Sequence, residues 1–122
     1  MLSAPIKITL IITGLFVSSF LQAEKIDFAR DIQPIFAEHC TTCHGPDEQK
    51  GGLNLTEEES HHGKLKSGEP ALVPGKPEDS ELLYRISTKD TDELMPPPEH
   101  GSRLKPAEVE LIRQWISEGA KW

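Results

Sequence analysis

Three stretches of the chain carry apolar residues at the spacing of an amphipathic helix. In the first, Ile32, Ile35 and Phe36 fall at positions i, i+3 and i+4, which places them on one helical face. Asp31 directly before them is a residue type that caps helix N-termini well. The pattern predicts a helix over residues 32–40, with Asp31 as its N-cap.

The other two helical stretches lie in the second half of the chain. The earlier one begins at Pro77 or Ser80 and runs to about Ser87. The later one begins with Pro106, a residue favoured at the first helical position, and ends before Gly119, a typical C-terminal stop. The apolar faces comprise Leu82, Leu83 and Ile86 in the earlier helix, and Val109, Ile112 and Ile116 in the later one.

Two long loop regions separate the predicted helices. Residues 47–79 are punctuated by prolines, and residues 89–103 hold Met95 followed by three further prolines. A structureless stretch as long as the first is unusual in a compact domain unless it has a function. Wrapping around a bound group would be such a function.

The first 23 residues have the features of a secretory signal peptide. Lys7 supplies the positive region, an apolar run of about 14 residues follows from Ile8 to Leu21, and Ala23 is a suitable last residue before cleavage. The run is shorter than the roughly 20 residues of a transmembrane helix. The sequence therefore predicts an exported chain cleaved after Ala23, with an uncleaved membrane anchor as the alternative.

The chain is acidic, with 13 basic and 20 acidic residues and a formal net charge of −7. This charge argues against nucleic acid or anionic lipid as partners. It favours docking to a positively charged patch on another protein. The same charge would also serve simply to keep a small exported domain soluble.

The strongest chemical signal is the segment Cys40-Thr41-Thr42-Cys43-His44, which holds the only two cysteines of the chain. A C-x-x-C-H segment is the attachment signature of c-type haem. The two intervening residues let both thiols reach the vinyl groups along one edge of the porphyrin, and the histidine that follows becomes an axial ligand of the iron. Because haem c is attached outside the energy-transducing membrane, the export signal and this motif support each other.

Three other interpretations of the cysteine pair stay open. A thiol–disulfide redox motif expects a βαβ setting, which the helical pattern does not provide. A structural disulfide is permitted by C-x-x-C spacing in a secreted chain. A zinc site would need a further ligand beside His44. The candidates for that ligand are His39, His61, His62 and His100.

The ordered set of motifs resembles class I cytochromes c, and most closely the cytochrome c domain described from planctomycetes and related bacteria. The matching segments are residues 31–36, 40–45, 50–55, 73–77, 94–97 and 115–120. The resemblance covers nearly all of residues 27–122. It implies an all-α, class I cytochrome c fold, in which three main helices and long loops wrap one covalent haem within residues 24–122.

The same resemblance implies the ligands of the haem. Cys40 and Cys43 would carry the thioether links, and His44 and Met95 would be the axial ligands of the iron. Met95 is the only methionine besides the initiator, so no second thioether competes. The alternative sixth ligands are His100, His61 and His62.

A ligand imidazole generally needs an acceptor for its other ring nitrogen, which fixes the tautomer. The resemblance suggests a proline carbonyl in this role. Pro70 is the best match in the sequence, with Pro74 as the alternative, and we expect one of them to accept from His44 Nδ1.

The function implied is single-electron transfer by a periplasmic carrier that is not itself an enzyme and serves an unidentified redox protein. One alternative is a detached or truncated haem subunit of a larger oxidoreductase, because the related domain commonly heads a longer polypeptide. Another is a haem-based ligand sensor in which Met95 is labile.

Overall fold

The computed structural model describes residues 23–61 and 63–122. The predicted signal peptide, residues 1–23, lies outside the described residues apart from Ala23 and stays a prediction. Three α-helices form in these ranges: α1 (Gln33–His39), α2 (Glu81–Ser87) and α3 (Pro106–Ser117). None of them is long and apolar enough to cross a membrane.

The described part of the chain contains no β-strand, only two isolated β-bridges, one between His44 and Gln49 and one between Lys64 and Pro70. Three short 3₁₀ turns, Lys50–Gly52, Glu58–His61 and Pro77–Asp79, interrupt the long loop region. The predicted all-α class is therefore confirmed over the described ranges.

The first helical segment begins earlier than the sequence pattern predicts. A π-helical turn, Phe28–Ile32, runs directly into α1, and Asp27 caps it by accepting a hydrogen bond from the Arg30 N–H at 2.8 Å. The prediction of Asp31 as the N-cap is wrong, because its carboxylate accepts from the Asp27 N–H at 2.9 Å and pairs with the Arg30 guanidinium at 2.8 Å. Burial of Phe28 in the core accounts for the added turn.

The second helix lies where the sequence predicts it. The 3₁₀ turn Pro77–Asp79 leads into α2, and the buried Ser80 joins the turn to the preceding loop. The Ser80 hydroxyl accepts from the Val73 N–H at 2.9 Å and donates to the Lys76 carbonyl at 3.0 Å. These two bonds hold the proline-rich loop against the first turn of α2.

The third helix also follows the prediction at both ends. It begins at Pro106, and the Glu108 carboxylate accepts from the Lys105 N–H at 2.7 Å, as in one half of a capping box. Gly119 has a φ of +108°, a backbone conformation that side chains disfavour. This glycine therefore ends the helix.

The core lies where the first helical segment packs against α3. The Phe28 ring centroid is 5.6 Å from that of Trp115 and 3.8 Å from that of Trp122, and the Phe36 ring is 5.8 Å from Trp115. Trp115 is only 1 % exposed, and its Nε1–H donates to the Lys121 carbonyl at 2.8 Å. The indole is thus both fully packed and hydrogen-bonded, which fixes α1 against the C-terminal end of the chain.

The long loop region takes part in the core. Leu53, Leu55, Ala71 and Leu72 are all buried. The Gly75 N–H donates to the Ile116 carbonyl of α3 at 2.8 Å. The loop is therefore held in place by side-chain burial and scattered backbone hydrogen bonds instead of regular structure.

We expect Trp115→Ala to lower the free energy of unfolding by about 3–5 kcal/mol, the usual cost of truncating a fully buried aromatic side chain. The change removes the packing against Phe28 and Phe36 and the hydrogen bond to Lys121. Denaturant unfolding followed by circular dichroism measures the difference.

The matched control is Ser117→Ala, an exposed position at the end of the same helix, which should change stability by less than about 0.5 kcal/mol. A Trp115→Ala protein as stable as this control would show that the aromatic contact does not hold the fold together.

Candidate functional site

The C-x-x-C-H motif forms a hydrogen-bonded turn at the C-terminal end of α1. The Phe36 carbonyl accepts from the N–H groups of Cys40 and Thr41 at 2.9 and 3.0 Å. The Cys40 carbonyl in turn accepts from the N–H groups of Cys43 and His44 at 3.2 and 2.9 Å. The turn therefore holds both cysteines and the histidine in a fixed order directly after the helix, as the sequence predicts.

Gly45 allows the chain to leave this turn closely packed. The residue is buried, and a Cβ atom added there would collide with the Thr41 carbonyl oxygen. The Gly45 N–H donates to the Glu48 carbonyl at 2.8 Å, which reverses the chain. The reversal brings Lys50 back beside the motif, and the Lys50 N–H donates to the Cys43 carbonyl at 2.9 Å.

His44 is oriented by Lys50 and not by a proline. Its Nδ1 lies 2.9 Å from the Lys50 carbonyl oxygen. The prediction that the Pro70 carbonyl, or that of Pro74, accepts from this nitrogen is wrong. The chain reversal at Gly45 presents the Lys50 carbonyl first, and the Pro70 carbonyl accepts from the Glu81 N–H at 3.1 Å instead.

The surroundings of His44 favour the neutral form of its imidazole. Burial is the main reason that the pKa of His44 lies below its usual value, and the hydrogen bond to Lys50 only partly opposes this shift. A neutral imidazole with one nitrogen engaged by a carbonyl is the form in which histidine binds a metal. His44 therefore has the chemistry of an axial ligand.

The two cysteines are free thiols in the structure. Burial raises the pKa of the Cys40 thiol to about 12. A thiol–disulfide oxidoreductase needs a nucleophilic cysteine with a lowered pKa, so the environment of Cys40 argues against that class.

The zinc interpretation gains no support either. Among the described side chains, which leave out those of His61 and His62, Cys40, Cys43 and His44 do not join any cluster of three or more that is close enough to share a metal ion.

Two cavities meet at the motif. The first, of about 240 Å³, has mostly apolar walls supplied by the long loop and by α2. The second, of about 380 Å³, extends from the motif towards the proline-rich loop after Met95. The side chains shared by both are Cys40, His44, Lys50, Ile86 and Met95.

Met95 is thus brought to the same space as His44, although 51 positions separate them in the chain. Its N–H donates to the Arg85 carbonyl at 2.8 Å, which ties the methionine loop to α2. Of the alternative ligands, His100 is exposed and lines only the second cavity. The side chain of His61 and all of His62 lie outside the described residues.

Several residues of the site were missed by the sequence patterns. Leu65, Leu82 and Arg85 line the first cavity, and the Lys50 carbonyl orients His44. The apolar residues of the loop were visible as isolated leucines in a polar stretch, which is a weak signal. The backbone carbonyl of Lys50 has no sequence signal, because any residue type could supply it.

Comparison with known proteins agrees with this geometry. Residues 40–99, about half of the chain, match the family model described as Planctomycete cytochrome C. This part of the chain belongs to that family. The matched range contains the C-x-x-C-H motif, α2 and Met95, and the resemblance stated above is confirmed over it. No curated protein and no solved structure matches the chain.

Membership in a cytochrome c family implies covalently attached haem c with its iron, and the residues of this chain fit such a group. Cys40 and the neutral His44 line the first cavity, whose walls are mostly apolar, and Cys43 lines the second cavity beside it; an apolar cavity is the environment that a porphyrin requires. A c-type cytochrome domain is typical of an electron carrier.

We expect Gly45→Ala to destabilise the protein by about 1–3 kcal/mol, because the collision with the Thr41 carbonyl forces the backbone of the turn to move. Thermal unfolding measures the shift. Gly63→Ala is the matched control, since a Cβ atom there meets nothing within 4 Å. Equal stability of the two variants would contradict the packing assigned to Gly45.

Proposed function

We propose that the chain is an exported, periplasmic monohaem cytochrome c with the class I fold, which transfers single electrons and is not itself an enzyme. The observation that carries the proposal is that His44 and Met95 line the same two cavities beside Cys40. The match of residues 40–99 to the cytochrome c family supports it.

The four proposed site residues have separate roles. Cys40 and Cys43 would hold the haem through thioether bonds, and His44 and Met95 would be the ligands of its iron. With both ligands supplied by the protein, the iron would have no position left for a substrate, which favours a carrier over a catalyst. A bound haem would supply a one-electron redox centre, and a methionine ligand would raise its reduction potential.

The hydrogen bonds of the chain support these roles. The Lys50 carbonyl holds the His44 ring in one orientation, and the Arg85 carbonyl holds the backbone of Met95. The loop leucines and Ile86 make the walls of the first cavity mostly apolar, which disfavours water there. Ligands fixed in this way need little rearrangement when the oxidation state changes, which favours rapid electron transfer.

Export and domain organisation complete the proposal. Residues 1–23 serve as the signal peptide, and residues 24–122 form the cytochrome domain. The net charge of −7 becomes more negative when the signal peptide is removed, because that segment holds Lys7 and no acidic residue. An acidic surface fits a redox partner that presents a positively charged patch.

We expect the protein secreted to the periplasm to have the mass of residues 24–122 plus one haem. The haem should stay with the chain after acid–acetone extraction, because thioether bonds survive it. The Cys40→Ala/Cys43→Ala double variant should lose its haem under the same treatment. Thr42→Ala, an exposed position between the cysteines, is the control. A wild-type chain without added mass, or one with two reactive thiols after unfolding, contradicts covalent attachment.

We expect Met95→Ala to lower the reduction potential and to let carbon monoxide bind the reduced protein readily, because the iron loses its thioether ligand. Redox titration and the Soret spectrum under carbon monoxide measure the two effects. His100→Ala, the exposed alternative, should change neither. If His100→Ala alters both properties while Met95→Ala alters neither, the sixth ligand is misassigned.

A wild-type protein that binds carbon monoxide readily would instead favour the ligand sensor. Co-purification with a separately encoded catalytic protein would favour the redox subunit of an oxidoreductase.

A further inference from the structure

A second cluster of potential metal ligands lies where the end of α1 meets the first turn of α3. It comprises Glu38, His39 and Glu108, whose ligand atoms all lie within 4.8 Å of one another. His39 Nε2 is 3.5 Å from Glu108 Oε2 and 3.9 Å from Glu38 Oε1. These residues are distinct from the cysteines, the histidine and the methionine assigned to the haem.

The imidazole of His39 is the unusual member of this cluster. Its side chain is only 10 % exposed, and within the described part of the chain its buried Nε2 atom has no hydrogen-bond partner. The carboxylate of Glu108 is near enough to pair with it electrostatically but too far for a good hydrogen bond. Since nearly all buried polar side-chain atoms are hydrogen-bonded, such an atom calls for an explanation.

We propose that Glu38, His39 and Glu108 bind a divalent transition-metal ion of the Zn²⁺ type and thereby link α1 to α3. In a tetrahedral zinc site with bonds of about 2.0–2.1 Å, neighbouring ligand atoms are separated by about 3.4 Å. The distance from His39 to Glu108 already meets this requirement. Glu38 is 69 % exposed and can rotate inward to shorten the remaining distance.

The surroundings of the cluster also suit a metal ion. The Lys105 N–H donates to Oε2 of Glu108 at 2.7 Å and so fixes the orientation of that carboxylate. Glu38 and His39 lie at the rim of the second cavity, and the exposed Glu38 side chain opens the cluster to solvent, which gives an ion a path of entry. Three protein ligands leave a fourth position for water.

The ligand set selects the class of ion. Mg²⁺ and Ca²⁺ take oxygen ligands, whereas imidazole nitrogen suits zinc and the later first-row metals. The two carboxylates add the negative charge that stabilises a divalent cation. The inferred occupant is therefore a transition-metal ion and not an alkaline-earth ion.

Isothermal titration of the purified full chain with Zn²⁺ tests the inference. Any free thiol is first blocked with iodoacetamide, so that binding to Cys40 or Cys43 does not contribute. We expect one Zn²⁺ per chain, with an affinity that falls at least tenfold in His39→Gln and in Glu108→Gln. Glu110→Gln, which removes an exposed carboxylate from the same helix, should bind Zn²⁺ as the wild type does.

Two further measurements keep the test independent of folding and of haem attachment. The Glu108→Gln variant keeps a side-chain oxygen that can accept the hydrogen bond from the Lys105 N–H. Without metal, the unfolding temperature of this variant should therefore match that of Glu110→Gln. Zn²⁺ should raise the unfolding temperature of the wild type and of Glu110→Gln, but not that of His39→Gln or Glu108→Gln.

Absence of stoichiometric Zn²⁺ binding overturns the inference. The inference is also overturned if His39→Gln and Glu108→Gln both bind Zn²⁺ with affinities within threefold of that of the wild type. Mg²⁺ binding as tight as Zn²⁺ binding overturns the assignment to a transition-metal ion. A chain that lacks haem but still binds Zn²⁺ through His39 contradicts the proposed cytochrome function and leaves this inference intact.

Discussion

The packing of Trp115 against Phe28 and Phe36 positions the end of α1, and α1 in turn positions Cys40. Helices shorter than about 12–15 residues are marginal in water on their own, and α1 covers only Gln33–His39. Its stability must therefore come from the π-helical turn before it and from burial against α3. The location of the haem motif thus depends on an aromatic contact with residues far along the chain.

The remainder of the site depends on a loop with almost no regular structure. The Leu55 N–H donates to the His44 carbonyl at 2.8 Å, and the Lys66 N–H donates to the Gly51 carbonyl at 2.9 Å. Such isolated hydrogen bonds order a loop only where buried side chains contribute further stability, as Leu53 and Leu55 do here. These leucines also line the first cavity. The same side chains therefore contribute to the core and form an apolar wall for the proposed haem.

Sequence patterns predicted what depends on local spacing. The bounds of α2 and α3 and the turn that holds the C-x-x-C-H motif follow from helical periodicity, from Pro106 and Gly119, and from the motif itself. The sequence patterns failed where contacts between distant parts of the chain decide the local structure. The N-cap of the first helical segment is Asp27 instead of Asp31 because the buried Phe28 adds a turn, and His44 contacts the Lys50 carbonyl because Gly45 reverses the chain.

His39 and His44 show how strongly position decides the chemistry of one residue type. Both lie in or beside the same turn, and sequence alone offered both as candidate ligands. His44 has a carbonyl partner for Nδ1 and lines both cavities. His39 buries an Nε2 atom without a hydrogen bond beside two carboxylates, one of them on α3. Because Glu108 lies 69 positions further along the chain, only the packing of α1 against α3 brings this second set of ligands together.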